Sequence, residues 1–381
     1  MFSKLTKLKF KILLLPIILF WSGLVYGYDI GPVKMHGFVS QGFSLSSGNN
    51  FLGESTSGSF DLTMGAVNFL WSPDPGIYFS TQIISRNYGD SVINEEELEI
   101  DYGLAGFDLF ANGTTEIDLR LGLLKIPMGI FGKTRDIPIT YSGVILPQVI
   151  YPEWRRNSFL RSKGAALEFN NMSQWGAFNF EAQFGEVRMT SSLDSNTKVP
   201  DPDFVAWKLM YNSPENMFFA GMSQMFVDIE SSSNSGTTLN KTTATVYSLG
   251  FNYHSWMFTT EYLHNRYDTK STLLNGYQVK DESISTAYSI QLEKMFTSKV
   301  SGFIRNDHKY VDRSLGKSLQ NYTNVNIIGV NWRPTSSILV KAEYHNIEGG
   351  WADYTAVDNP NKVNDADRYW DLFMLQFVYS F

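Results

Sequence analysis

Apolar and polar residues alternate along most of this chain with a period of two, which is typical of β-strands rather than amphipathic helices. In the segment AFNFEAQF, for example, Phe178 and Phe180 fall on one face of a strand while Asn179 and Glu181 fall on the other. The pattern recurs often enough to predict sixteen strands, at about 34–45, 58–70, 77–87, 95–107, 115–126, 163–171, 177–188, 203–212, 217–229, 243–253, 256–267, 284–295, 299–311, 323–333, 338–348 and 369–381. The alternation therefore predicts an all-β protein.

The connections between these predicted strands alternate in length. Short turns such as 72–76, 111–113 and 334–337 follow the even-numbered strands, whereas longer polar segments follow the odd-numbered ones. Outer-membrane β-barrels sort their connections in this way, with short periplasmic turns and long extracellular loops. A soluble β-sandwich, the alternative fold, has no physical reason to do so. The sequence predicts a transmembrane antiparallel β-barrel of about sixteen strands, closed because an open sheet edge in lipid is costly.

The N-terminal residues 1–27 have a different pattern from the rest of the chain. Four lysines precede an apolar run at 12–21, which has the length of a signal-peptide core and is short for a membrane span. We predict a cleaved signal peptide at 1–27, with Tyr28 as the first mature residue, and a single barrel domain at 28–381. An uncleaved membrane anchor is the alternative.

Composition agrees with a barrel in lipid and limits the partners. Aromatic residues make up 15% of the chain, and barrels gather them at both membrane interfaces. Removing the four lysines of residues 1–27 takes the net charge from −7 to −11, which argues against nucleic acid as a partner. The expected location is the cell outer membrane, with lipid and lipopolysaccharide around the barrel.

The connection at 128–162 is the longest, and it contains more apolar residues and prolines than a solvated loop needs. We expect it to fold into the barrel as a constriction loop. Its charges are mostly positive: Lys133, Arg135, Arg155, Arg156, Arg161 and Lys163 against Asp136 and Glu153. Arginines in a narrow, water-poor passage attract anions, and lumen-facing Arg86, Arg120 and Arg305 would extend the path. The sequence thus predicts a passive channel for small hydrophilic solutes, with a preference for anions.

The same arginines permit a second interpretation. They could pair with lumenal acids such as Glu99, Asp101, Glu168 and Glu181, and so hold the loop against the wall. The two interpretations are compatible, since porins also use such charges to set a transverse field.

Residues 120–170 resemble the strand–loop–strand unit of the phosphate-selective and DcaP-like porins of Gram-negative bacteria. The matching positions are Gly122, Lys125, Pro127, Gly129, Arg135, Asp136, Leu146, Pro147, Gln148 and Tyr151, and residues 37–53 are similar to the first strand and loop of that family. The resemblance implies a homotrimer, passive diffusion and often a preference for anions. Two features of the family are absent from the pattern: a lysine-rich ladder and a coiled coil ahead of the barrel.

No catalytic, cofactor-binding or metal-ligating residues are predicted. The five histidines (His36, His254, His264, His308 and His345) show no tight metal-ligand spacing, and no GxSxG motif is present. A membrane-embedded hydrolase and a barrel with an adhesive or structural role stay open as alternatives to the porin.

The chain ends in FMLQFVYSF, another alternating stretch. We expect Phe373, Leu375, Phe377, Tyr379 and Phe381 to face lipid, with Gln376 and Ser380 facing the lumen. The ending also resembles the C-terminal signal that the barrel-assembly machinery recognises in outer-membrane proteins. That resemblance makes Phe377, Tyr379 and Phe381 the candidate assembly signal.

Overall fold

The computed structural model describes residues 28–89, 95–156, 160–187, 200–233, 236–273, 275, 277–356, 358–359 and 366–381. The predicted signal peptide at 1–27 lies outside these residues. Within the described part of the chain, no helix is long and apolar enough to cross a membrane.

The described residues form a single antiparallel sheet. Its strands are β1 (Tyr28–Ile30), β2 (Val33–Ser46), β3 (Leu62–Asp74), β4 (Ile77–Tyr88), β5 (Glu95–Ala111), β6 (Thr115–Lys125), β7 (Arg161–Ser173), β8 (Gly176–Val187), β9 (Asp203–Asn212), β10 (Phe218–Ser233), β11 (Gly236–Tyr253), β12 (Trp256–Leu273), β13 (Gln278–Met295), β14 (Val300–Tyr310), β15 (Tyr322–Trp332), β16 (Ile338–Gly349) and β17 (Tyr369–Ser380). Short 3₁₀ turns lie at Ser55–Ser57, Pro138–Thr140, Glu153–Arg155, Pro214–Asn216 and Arg313–Leu315, and a π-helical turn at Trp351–Thr355.

Strands β2 to β17 close into a ring, which confirms the sixteen-stranded barrel. Each strand pairs with the next along the chain, and β17 pairs with β2 from Leu372 opposite Ser46 to Ser380 opposite Phe38. The short β1 only adds to the start of β2. Closure leaves no barrel strand with an open edge, as a hydrocarbon environment requires.

The barrel is apolar outside and polar inside, the reverse of a soluble sandwich. Phe184 and Ile328, which point outward, are more than half exposed, while the inward Glu181, Glu261 and Lys341 are at most 2% exposed. An outer apolar surface of this extent is stable only against lipid or another apolar surface. The prediction of a transmembrane barrel over a soluble β-sandwich is thus consistent with where the side chains lie.

Two hairpins are longer than the sequence pattern predicts. The segments 230–242 and 268–283 lie between predicted strands and were expected to be polar connections, but β10 runs to Ser233, β11 starts at Gly236, and β12 and β13 extend in the same way. That expectation was wrong because it relied on apolar alternation. Strands that project beyond the lipid need no apolar face, and the backbone ladder continues without it.

The final strand alternates as predicted from Phe373 to Gln376, but Tyr379, which was expected to face lipid, is only 8% exposed. Phe373 and Leu375 point outward and are about 40% exposed, whereas Gln376 points inward and is buried. The backbone of Phe381 exchanges two hydrogen bonds of 2.9 Å with Gly37 on β2. Gly37 is required there because a Cβ atom would lie 2.5 Å from the Phe381 ring. The last residue of the chain is therefore part of the seam that closes the barrel.

Candidate functional site

The described part of the connection between β6 and β7, residues 126–156 and 160 and hereafter the inward segment, lies inside the barrel. Val144, Ile145 and Val149 are at most 2% exposed and belong to apolar clusters that include wall residues. Arg305 on β14 donates to the carbonyl oxygen of Ile145 at 3.4 Å. Because β14 stands half a circuit away from β6 in the ring, the segment crosses the lumen. The prediction that this loop folds inward is confirmed.

Local turns give the inward segment its shape. The amides of Ile150 and Tyr151 both donate to the carbonyl oxygen of Pro147, at 3.0 and 2.8 Å. Gly129 has a positive φ of 63°, and a side chain there would collide with the Tyr151 hydroxyl. Proline restricts the conformations open to the unfolded segment, and glycine adopts a backbone conformation that residues with a side chain rarely adopt.

A cluster of ion pairs joins the inward segment to strands β5 and β6. Arg156 donates from Nε to Asp136 at 2.8 Å and lies 3.4 Å from Asp101 on β5. Lys125, at the end of β6, bridges the same two carboxylates at 2.5 and 2.6 Å. All four side chains are less than a tenth exposed, so each charge depends on its partners rather than on water.

The cluster continues to β4 through Glu153. Arg86 on β4 donates to Glu153 at 2.7 Å, and Arg135 lies 3.6 Å from the same carboxylate. Burial raises the pKa of Glu153, but the charges of Arg86 and Arg135 outweigh burial and leave the pKa below its ordinary value. Burial likewise raises the pKa of Asp136, and the neighbouring cations, Arg156 foremost, hold it well below the usual range. Both acids are therefore ionised at neutral pH.

The outer cations of the predicted site also have acidic partners. Arg161 donates to Glu99 at 2.7 Å. Lys133 forms an ion pair with Glu181, and Arg120 with Glu168. The side chain of Arg155 lies outside the described part of the structure. Glu99, Asp101, Glu168 and Glu181 are the acids named in the second interpretation of the arginines, and all four take part in pairing.

Two of the predicted cations lie elsewhere: Arg305 on β14 pairs with Asp307 at 3.1 Å, and Lys163 on β7 is exposed. The other predicted site residues with described side chains come together on one side of the barrel, the wall formed by β4 to β8. These are Arg86, Arg120, Lys133, Arg135, Asp136, Glu153, Arg156 and Arg161. Arg86, Arg135 and Arg156 are each less than 8% exposed. Most of this positive charge is compensated by carboxylates and removed from water.

On the opposite side, formed by β9 to β16, wall side chains bind the segment's backbone. Lys341 on β16 donates to the carbonyl oxygens of Pro138, Tyr141 and Gly143 at 2.5, 2.8 and 2.6 Å. Nearby, Glu343 accepts from the amide of Val144 at 2.9 Å. These contacts pair backbone groups that would otherwise be unsatisfied away from water.

Further round the same side, Glu261 on β12 accepts from the amide of Ile130 at 2.7 Å and from the Tyr151 hydroxyl at 2.8 Å. Lys208 on β9 donates to the carbonyl oxygen of Gly129 at 2.6 Å. Lys208, Glu261 and Lys341 were not among the predicted site residues. Lys341 alternates with the apolar Val340 and Ala342, which indicates a lumenal position, but nothing in the sequence identifies its partners.

A closed ring of sixteen antiparallel strands, apolar outside and polar inside, with a long connection folded into it, is the fold of outer-membrane porins. The outer membrane channel DcaP of Acinetobacter baumannii matches with a TM-score of 0.54 and 12% identity over 94% of this chain and all of its own. The anion-selective porin from Comamonas acidovorans matches with a TM-score of 0.54 and 9% identity over 92% of this chain and 99% of its own.

OmpT of Vibrio cholerae, solved as a trimer form, matches with a TM-score of 0.56 and 10% identity over 93% of this chain and all of its own. No protein-family model and no curated protein matches the sequence. At these identities the similarity to the solved structures concerns the fold.

Proposed function

We propose that this protein is an outer-membrane porin through which small hydrophilic solutes diffuse down their gradient, with no cofactor and no energy source. The reversed distribution of side chains on sixteen closed strands carries the proposal. An apolar exterior places the barrel in lipid, and sixteen strands are wide enough to enclose an aqueous path beside the inward segment. The porin fold of its structural neighbours supports the same function.

The preferred solutes are anions, and Arg135 contributes most to the preference. Arg86 and Arg156 sit close to carboxylates, at 2.7 and 2.8 Å, so their charges are largely compensated. Among the described residues, Arg135 lies 3.6 Å from its nearest carboxylate, and its Nε, like that of Arg86, has no hydrogen-bond partner. A buried guanidinium with a spare donor can bind a passing carboxylate or phosphate.

Reversal potentials in planar bilayers under a potassium chloride gradient test both statements. The wild-type channel should conduct and should favour chloride. Arg135→Gln should lower the chloride preference, whereas Arg266→Gln should not, because Arg266 is half exposed beside Asp268 on β12, outside the inward segment. Absence of conductance would refute the porin, and a cation-selective wild type would refute the anion preference alone.

The native assembly in this proposal is a homotrimer in the outer membrane, delivered by a cleaved signal peptide and inserted by the barrel-assembly machinery. The OmpT trimer form shares the fold and supports the trimer. The seam between Phe381 and Gly37 supports a role for the C-terminal residues Phe377, Tyr379 and Phe381 in assembly. Deleting Phe381 should reduce the amount of heat-modifiable, folded barrel in membranes more than the conductance of each channel that does assemble.

A further inference from the structure

A cavity of about 100 Å³ lies between the inward segment and the wall formed by β10, β11 and β12. The inward segment contributes Met128, Arg135 and the stretch from Val149 to Pro152. The wall contributes inward-facing residues such as Ala244 and Leu263. The cavity is thus part of the lumen, and it borders the ion-pair cluster at Arg135, which also lies 3.6 Å from Glu153.

The charged groups that line this cavity are both cations. Arg135 is 7% exposed, and its Nε has no hydrogen-bond partner within the described chain. Its NH2 group makes long contacts within the described chain, of 3.4 and 3.3 Å to the carbonyl oxygens of Tyr151 and Pro152 and of 3.6 Å to the carboxylate of Glu153. Lys309 also lines the cavity, with its Nζ held by Asp353 at 2.5 Å. None of the described lining residues is a carboxylate, so Arg135 has donor capacity left for an anion.

The rest of the lining is mainly apolar. Val149 and Ile150 face Met225, Val246 and Leu263 across the space, and all five are less than a tenth exposed. A fully hydrated inorganic anion would gain nothing from this surface, whereas each buried methylene group of a ligand contributes about 0.8 kcal/mol. An apolar cavity of about 150 Å³ in another protein holds benzene, so this smaller space suits a short chain better than a ring.

We propose that the cavity is a binding site for amphipathic monocarboxylates, with the carboxylate on Arg135 and a short apolar chain between the inward segment and β10–β12. The proposal rests on the porin function and narrows its solutes from anions in general to this class. It selects one negative charge over two, because a second charge would have to enter the apolar part of the cavity.

Calorimetric titration of the full-length protein in detergent tests the site with three probes: hexanoate, acetate and hexan-1-ol. Hexanoate should bind about tenfold or more tighter than acetate, which lacks the chain, and than hexan-1-ol, which lacks the charge. Equal affinities for hexanoate and acetate would show that the site recognises only the charge, which would overturn the proposal. Equal binding of hexanoate and hexan-1-ol, or no binding of hexanoate, would overturn it as well.

Two variants locate the binding. Arg135→Gln should weaken hexanoate about tenfold or more and leave hexan-1-ol unchanged, with Arg266→Gln as the matched control on the barrel exterior. Because Arg135 also contacts Glu153, its loss could loosen the segment, so a second variant fills the cavity instead. Ala244→Leu should abolish the advantage of hexanoate over acetate, whereas Ala220→Leu, on the outer face of neighbouring β10, should not. Unchanged hexanoate affinity in Arg135→Gln or Ala244→Leu would contradict the assignment.

The calorimetric result is independent of conductance, which keeps the two proposals separable. A protein that binds hexanoate but does not conduct in bilayers would keep the site and lose the porin function. A protein that conducts but discriminates none of the three probes would keep the porin and lose the site. In bilayers that conduct, hexanoate should also reduce the current at concentrations at which acetate does not.

Discussion

The inward segment is held in two chemically different ways on the two sides of the barrel. Against the β4–β8 wall, charged side chains pair with charged side chains, as in Arg156 with Asp136 and Lys125 with Asp101. Against the β9–β16 wall, charged side chains bind backbone groups, as Lys341 does with three carbonyl oxygens. The first arrangement fixes the segment but neutralises its charge. The second fixes the segment mainly through its backbone, with the Tyr151 hydroxyl also bound to Glu261.

This difference separates residues that position the segment from residues that can act on a solute. A buried cation between two carboxylates has little field left to offer, whereas Arg135, at the border of both regions, has no carboxylate closer than 3.6 Å among the described residues. The Arg-rich composition of the segment therefore overstates its effect on anions. We expect the arginines to divide into a structural group on the β4–β8 wall and one group that faces the cavity.

The largest expected effect is the loss of a buried charge on the β4–β8 wall. Arg156→Gln leaves Asp101 and Asp136 short of a cation in a site from which water is excluded, and breaking such a pair costs about 3–5 kcal/mol. The inward segment should undock, and chymotrypsin should cleave it at least about a hundredfold faster, because cleavage follows the open population. The barrel itself should stay folded, since its strand ladder does not involve Arg156.

Arg266→Gln is the control for that experiment. Arg266 also has two acidic neighbours, Asp268 at 3.1 Å and Glu282 at 3.2 Å, but all three side chains are about half exposed. Exposed pairs contribute at most about 1 kcal/mol, so cleavage should change little. Similar cleavage rates for the two variants would show that the buried cluster does not hold the segment.

A smaller effect is expected on the opposite wall from Lys341→Met. The change removes three hydrogen bonds to the segment, but residues 139–142 also line a cavity of about 370 Å³. Water entering there can satisfy the freed carbonyl oxygens, which limits the cost to about 1–2 kcal/mol. Cleavage should rise about tenfold, against no change for Lys294→Met on the outer surface. If Lys341→Met raised the cleavage rate more than Arg156→Gln, the β9–β16 wall would hold the segment more strongly than the β4–β8 wall.

The fold was largely predictable because lipid and backbone chemistry leave few choices. The alternation of apolar and polar residues predicted all sixteen barrel strands, and the alternation of short and long connections predicted which end of each strand faces the periplasm. The ends of β10 to β13 were missed, because strands beyond the lipid lose the apolar alternation that the prediction used. The pairing of β17 with β2 could be predicted from the sequence, but its register could not. The contact of Phe381 with Gly37 depends on closure of the whole ring.

The site was only half predictable. Composition and length identified the inward segment and its cations, and the charge pattern suggested their acidic partners. The role of Lys341 could not be found, because it binds carbonyl oxygens about 200 residues earlier in the chain and any residue type supplies those. Sequence patterns show which side chains face the lumen, but not which of them meet a particular stretch of backbone.

The smallest expected effect is that of mild acid, and it distinguishes the two walls. The pKa values of Asp136 and Glu153 are lowered in the folded protein, because the neighbouring cations outweigh burial. Their contribution to docking is therefore fully present above the ordinary carboxyl pKa, near 4, and is lost as the pH falls through the lowered values. Hydrogen exchange of the segment's amides, corrected for its intrinsic pH dependence, should give a constant opening free energy from pH 7 to about 5 and a decline below about 4.

In Arg156→Gln the decline should begin at a higher pH, because Asp136 has lost its main cation and burial then raises its pKa. A loss of docking that already begins near pH 6 in the wild type would contradict this assignment. Such a result would mean that groups other than Asp136 and Glu153 control docking, so the onset of the decline tests whether the β4–β8 wall releases the segment first.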